Sequence, residues 1–142
     1  MIKSQKQLMA AQQKLQMLKM SLSQPVAPGV AEVVADAARG QVQELIEEIA
    51  AEIEEYKKLR ARRRKVILIH SLEDLMKAPI FYRLASNMTI EEFARKVNVH
   101  SRQIARYEAE SYHNATTDTL LKILTSLKVR ISGKISPEKL DS

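Results

Sequence analysis

The chain has 142 residues and a mass of 16.1 kDa, the size of one domain or of a small domain with an extension. Hydrophobic residues make up 45% and charged residues 28%, enough apolar content for a packed core and too much for general disorder. With no Cys, 3 Gly and 4 Pro, a disulfide scaffold, a thiol nucleophile and a thiolate zinc site are excluded, and a turn-rich all-β chain is disfavoured.

The net charge of +6 is unevenly placed. Through Leu59, seven Lys+Arg face eight Asp+Glu, a net of −1; from Arg60 onward sixteen face nine, a net of +7. A basic C-terminal part points to a polyanionic partner, nucleic acid first, against the plainer reading of a soluble basic surface. No apolar run approaches ~18 residues. The opening MIKSQKQLMAAQQ has no apolar h-region. The expectation is a cytoplasmic protein with no membrane association.

The first expected element is a helix over Lys3 to Ser23, rich in Gln, Lys, Leu and Met. Leu8, Ala11, Leu15, Leu18 and Leu22 step by 3 and 4, an a/d stripe, and Met9, Met17 and Met20 are read as widening it. Residues Gln24 to Gly29 break the helix with two prolines and a glycine. A second helix then starts near Gly29 or Val30, or only at Gln41 if Gly40 ends the pattern. Its stripe is Val42, Ile46, Ile49, Ile53 and Tyr56, with glutamates on the other faces. Neither stripe is buried by its own helix. A helical hairpin over residues 1–59 answers this, as does pairing with a second copy or another protein. Leu8, Leu15, Leu18, Leu22, Ile46, Ile49, Ile53 and Tyr56 are therefore the candidate partner or dimer surface.

A basic linker, 60–71, follows. RARRRK, Arg60 to Lys65, reads either as an arm whose Arg62, Arg63 and Arg64 sit on phosphates, or as a solvated hinge complementing the C-terminus of the acidic helix. Val66 to His70 is short and β-branched and suggests a brief strand, with Lys128 to Ile131 as its partner. Beyond it come short helices: Leu72 to Met76 with Ile80 to Ala85, then Thr89 to Val97, Ser101 to Glu110 and Thr117 to Leu127. Residues 133–142 read as a loose tail.

Thr89 to Glu108, TIEEFARKVNVHSRQIARYE, carries the functional signal. Thr89 with Glu92 is a capping box, and Ile90, Phe93, Ala94 and Val97 form a buried face. Asn98 stands where a tight turn requires a left-handed residue. Val99 plugs the turn and Ser101 caps or begins the next helix. There Ile104 and Tyr107 point inward, while Arg102, Gln103 and Arg106 point outward. Two short helices about a turn, the second presenting hydrogen-bonding side chains, make a helix-turn-helix. Arg and Gln supply donors and acceptors for base edges in a groove about 12 Å wide. The capped start at Thr89 offers backbone N–H groups to a phosphate.

These residues resemble the core of the phage-repressor, or xenobiotic-response-element (XRE), helix-turn-helix family. The match is carried by T-x-E-E-F-A-x-x-x-x-V, from Thr89, and I-x-R-Y-E, Ile104 to Glu108. It extends from about Leu72 to Val129, within a DNA-binding domain placed at 72–132. The resemblance implies a five-helix bundle and base contacts from Ser101, Arg102 and Arg106, with Gln103 and His100 at the margin, His100 on phosphate. It also implies a buried ion pair between Arg83 and Glu108. The sequence departs from the family at Ile90, where many members have a phosphate-contacting Gln, and at Asn87 and Asn98, which replace turn glycines.

The layout of a helical N-terminal segment before this domain is similar to HigA-like bacterial antitoxins. It implies an all-α protein that neutralises a toxin and represses its own operon on double-stranded DNA as a homodimer. The alternatives are a stand-alone dimeric repressor and a coiled-coil interaction adaptor. No cofactor is expected. His70, His100 and His113 lack metal-ligand spacing, and no phosphate loop or catalytic triad pattern is present, so an enzyme is not expected.

Overall fold

The computed structural model describes residues 1–61 and 66–138. The fold is all-α: a helical pair, α1 (Gln5–Ser23) and α2 (Glu32–Arg60), followed by α3 (Leu72–Met76), α4 (Ala78–Ala85), α5 (Ile90–Val97), α6 (Ser101–Ala109) and α7 (Thr117–Leu127) in a helix-turn-helix architecture. The chain divides into two compact units. One comprises Met1–His70 with Ile80–Met88, the other Ser71–Pro79 with Thr89–Ser142.

In the first unit α1 starts at Ser4, whose hydroxyl accepts the Gln7 N–H at 3.1 Å. Such a cap stabilises a helix by about 1 kcal/mol. The helix α2 runs unbroken through Gly40, so the later start at Gln41 does not occur. Glu32 in its first turn and Lys57, Lys58 and Arg60 in its last turn complement the helix dipole, and the Arg60 guanidinium lies 5.9 Å from the Tyr56 ring centroid. The two helices pack as an antiparallel hairpin: Gln24 to Ala31 joins their near ends, and the Met1 amine lies 3.6 Å from the Glu52 carboxylate at the other.

The seam is unevenly closed. Leu8, Ile46, Ile49, Ile53, Tyr56 and Leu59 are buried, whereas Leu15, Leu18, Leu22, Val42 and Leu45 are half-buried. Met9, Met17 and Met20 do not widen the leucine stripe. They are exposed, because at about 100° per residue they fall on the opposite side of α1. Ile80, Phe81 and Leu84 belong to this unit and are buried. Arg83 donates to the Lys3 carbonyl at 2.9 Å and to the Met88 carbonyl at 3.0 Å.

In the second unit Ser71 caps α3 by accepting the Asp74 N–H at 3.1 Å. Lys77 separates α3 from α4, so the single helix expected over this stretch is two, with Pro79 in the first turn of α4. Phe93, Ala94, Val97, Ile104, Tyr112, Ile123 and Leu127 form the core. Thr116 caps α7 by accepting the Thr119 N–H at 3.1 Å.

The expected strand pairing does not form. Val66–His70 and 129–131 are irregular, and no strand occurs among the described residues. Val66 and Leu68 are exposed. Lys128 is the left-handed C-cap of α7, with φ 55°, so its backbone cannot begin a ladder. Residues 129–138 are exposed or half-exposed irregular chain.

Candidate nucleic-acid interface

The geometry begins with α5. Thr89 is extended, with φ −74° and ψ 165°, and its Oγ1 accepts the Glu92 N–H at 3.1 Å while donating to Glu92 Oε1 at 3.2 Å. The N-cap half of the capping box is thus present, while the Glu92 carboxylate turns to the Thr89 hydroxyl rather than to the Thr89 backbone N–H, which commits that hydroxyl to Glu92. Phe93, Ala94 and Val97 are buried, and Ile90 is half-buried.

Asn98 ends the helix at φ 57° and ψ 46°. The Val99 N–H reaches the Ala94 carbonyl at 3.0 Å and the Asn98 N–H reaches that of Arg95 at 3.3 Å. This pair of bonds is a Schellman motif, which satisfies the last carbonyls and reverses the chain. Asn adopts the left-handed region at lower cost than other non-glycine residues. Val99 is half-buried, the plug the turn requires.

The second helix, α6, then begins at Ser101 with His100 as an N-cap that makes no side-chain bond. Ile104 and Glu108 are buried, four residues apart on one face. Arg102, Ala105 and Arg106 are exposed; Ser101 and Gln103 are half-exposed. The outer face of α6 therefore carries two guanidinium groups and an amide around a small residue, which lets a helix approach base edges closely. An open concavity at the start of α6 is lined by Glu91, Ala94, Arg95, Asn98, Val99, His100 and Ser101.

The far end of α6 is held by the loop that follows. Ser111 and Tyr112 are left-handed, with φ 51° and 65°. The Tyr112 N–H bonds the Tyr107 carbonyl at 2.7 Å, and the two rings lie 5.4 Å apart. Asn114 Nδ2 donates to the Arg106 carbonyl at 3.2 Å. His113 approaches Glu73 at 3.8 Å and the Glu110 carbonyl at 2.9 Å.

Arg62, Arg63 and Arg64 fall outside the described residues. Arg83 and Glu108 are both buried. Leu8, Ile46, Ile49, Ile53 and Tyr56 are core residues of the first unit, leaving Leu15, Leu18 and Leu22 as the part of that surface still half-open. Sequence reasoning missed Arg95, an exposed cation beside the start of α6, and the bond from Asn114 to Arg106. The 3.6-residue period would have placed Arg95 outward, but no local signal marks Asn114, whose bond closes across a loop.

A capped helix, a left-handed turn and a second helix with an outward basic row define a helix-turn-helix. Residues 81–134, a little over a third of the chain, match the helix-turn-helix family. An XRE-type helix-turn-helix domain is present, and domains of this type are DNA-binding modules without catalytic function. No curated protein and no solved structure is matched by the chain. Among the described residues no group of acids and histidines is placed to hold a metal ion, and no helix is long and apolar enough to cross a membrane.

Proposed function

We propose that this protein is a dimeric transcriptional repressor of the XRE type, reading a two-fold DNA operator with α6. The observation that carries the reading is the exposure of Arg102 and Arg106 on a helix whose opposite face, Ile104 and Glu108, is buried. Arg102, Gln103, Arg106 and Ser101 are assigned to base edges. His100, the backbone at Thr89 and, from the linker, Arg62, Arg63 and Arg64 are assigned to phosphates. The Thr89 side chain is occupied by Glu92, so a phosphate there is met by main-chain N–H groups. One short helix reads only a few base pairs, and a second copy doubles the contacts. Binding of the full chain to the DNA upstream of its own coding sequence, in excess random duplex, tests the reading. A shifted complex that survives the competitor supports it, and displacement of the complex by competitor opposes it.

An antitoxin role is the second reading, favoured by Met9, Met17 and Met20. They form an exposed apolar row on the side of α1 away from α2, and methionine adapts well to a partner surface. On this reading the row takes a protein toxin while α6 stays on the operator. Replacing all three by Gln in the full chain should abolish rescue of cells expressing a neighbouring toxin gene. Rescue by the variant would remove this reading and leave the repressor.

A further inference from the structure

We infer that Arg95 is a further DNA contact, a guanidinium that holds a backbone phosphate in the concavity at the start of α6. The inference rests on the repressor reading and deepens it, because it adds a positioning residue to the same interface. The concavity encloses about 520 Å3 between α5, the turn and the start of α6. On its α6 side stand His100 and Ser101, assigned above to a phosphate and to a base edge. On its α5 side stand Glu91 and Arg95, both exposed. A duplex that brings a phosphate to His100 and a base edge to Ser101 therefore brings its backbone across the opening that Arg95 borders.

The direction of Arg95 follows from the helix. At about 100° per residue, it stands opposite the α5 face of Phe93, Ala94 and Val97, which is buried. Lys96, the neighbouring cation, lies about 100° further round and does not line the concavity. Of these two cations only Arg95 borders the opening shared with α6.

A plainer role for Arg95 is an ion pair within α5. Glu91 lies one turn earlier, with the acid N-terminal to the base, the order that favours pairing along a helix. That pair is not made: among the described residues no carboxylate is within ion-pair distance of Arg95. The guanidinium keeps its N–H donors and a full charge for a group outside the chain. A phosphate suits it, since the planar fork matches two phosphate oxygens at once. Glu91 has the opposite effect. Its carboxylate borders the same opening and repels a phosphate there, so Arg95 offsets a local negative charge as well as making the contact.

The test is an anisotropy titration of the full chain on two labelled duplexes at several salt concentrations. One duplex is the DNA upstream of the coding sequence, the other a random sequence of equal length. Arg95→Ala is expected to weaken both complexes alike, by roughly tenfold, and to lower the slope of log K against log salt in magnitude by about 0.9. Arg95→Lys should keep the slope and lose part of the affinity. Lys96→Ala removes the same charge from the same helix and should leave the slope unchanged. Glu91→Gln should tighten both complexes a few-fold. Because Arg95 is exposed, its variants should melt like the wild type. If the wild-type chain prefers the upstream duplex and Arg95→Ala keeps its affinity and slope, the assignment is overturned and the repressor reading stands. Equal losses in Lys96→Ala would reduce Arg95 to general surface charge, and a weaker complex with Glu91→Gln would mean that the opening does not face a phosphate. A wild-type chain with no preference for the upstream duplex removes the repressor reading, and the phosphate contact falls with it.

Discussion

Asn114 Nδ2 donates to the main-chain carbonyl of Arg106 at 3.2 Å. The loop after α6 thus holds the last turn of the helix whose Arg106 side chain is assigned to a base edge. The carbonyls at a helix C-terminus lack intrahelical partners, and this amide supplies one while fixing the residue used for recognition. Asn114→Ala should cost about 0.5–1.5 kcal/mol of stability. It should weaken operator binding while leaving the ranking of operator variants unchanged. Thermal melts and anisotropy titrations on matched and mismatched duplexes measure the two effects. A changed ranking would mean that Asn114 reads the DNA itself.

Arg102→Ala and Arg106→Ala should each reduce discrimination between operator and random DNA by about 1–3 kcal/mol. Both side chains are exposed on α6 and neither is part of the core, so the melting temperature should hardly move. Specificity unchanged in both variants would remove α6 as the reading helix.

Asn98 tests the turn. With φ 57°, Asn98→Gly should leave the domain as stable or raise its stability by several tenths of a kcal/mol, because glycine enters this region freely. Asn98→Val should cost about 1–2 kcal/mol, the steric cost of a left-handed residue with a branched Cβ, and lower operator affinity by misplacing α6. Thermal denaturation read against affinity in the same variants checks both. An Asn98→Val protein with native stability and affinity would show that the turn geometry does not control the helix.

These elements differ in how plainly the sequence shows them. The capping box at Thr89, the left-handed Asn98 and the outward Arg102 and Arg106 are all legible, because each depends on residues within four positions of one another. The leucine stripe of α1 is legible for the same reason. A hairpin with one seam is expected to leave Met17 and Met20 exposed, as they are, but apolar character alone sets the methionines beside the leucine stripe, where their angle does not put them. The strand expected at Val66–His70 rests on β-branched composition, which has no force without a paired backbone. The continuity of α2 through Gly40 reflects packing on both sides of it, which outweighs a propensity cost of about 1 kcal/mol. Asn114 is invisible in the sequence because its bond joins residues on two sides of a loop.

The arginines of the linker give a separate electrostatic prediction. If Arg62, Arg63 and Arg64 sit on phosphates, their joint replacement by Ala should weaken binding to every sequence alike. The slope of log K against log salt should fall in magnitude by up to ~3, about 0.9 for each phosphate no longer neutralised. An unaltered slope would leave these residues as a solvated hinge.

The most direct measurement is selection of bound duplexes from a randomised pool by the full chain near physiological salt. The account predicts enrichment of an inverted repeat, two half-sites spaced by about one helical turn, preferred over random DNA by about a thousandfold or more. That enrichment should disappear in the Arg102→Ala, Arg106→Ala double variant. A pool that stays random, or one enriched equally by the double variant, would contradict sequence-specific recognition by α6.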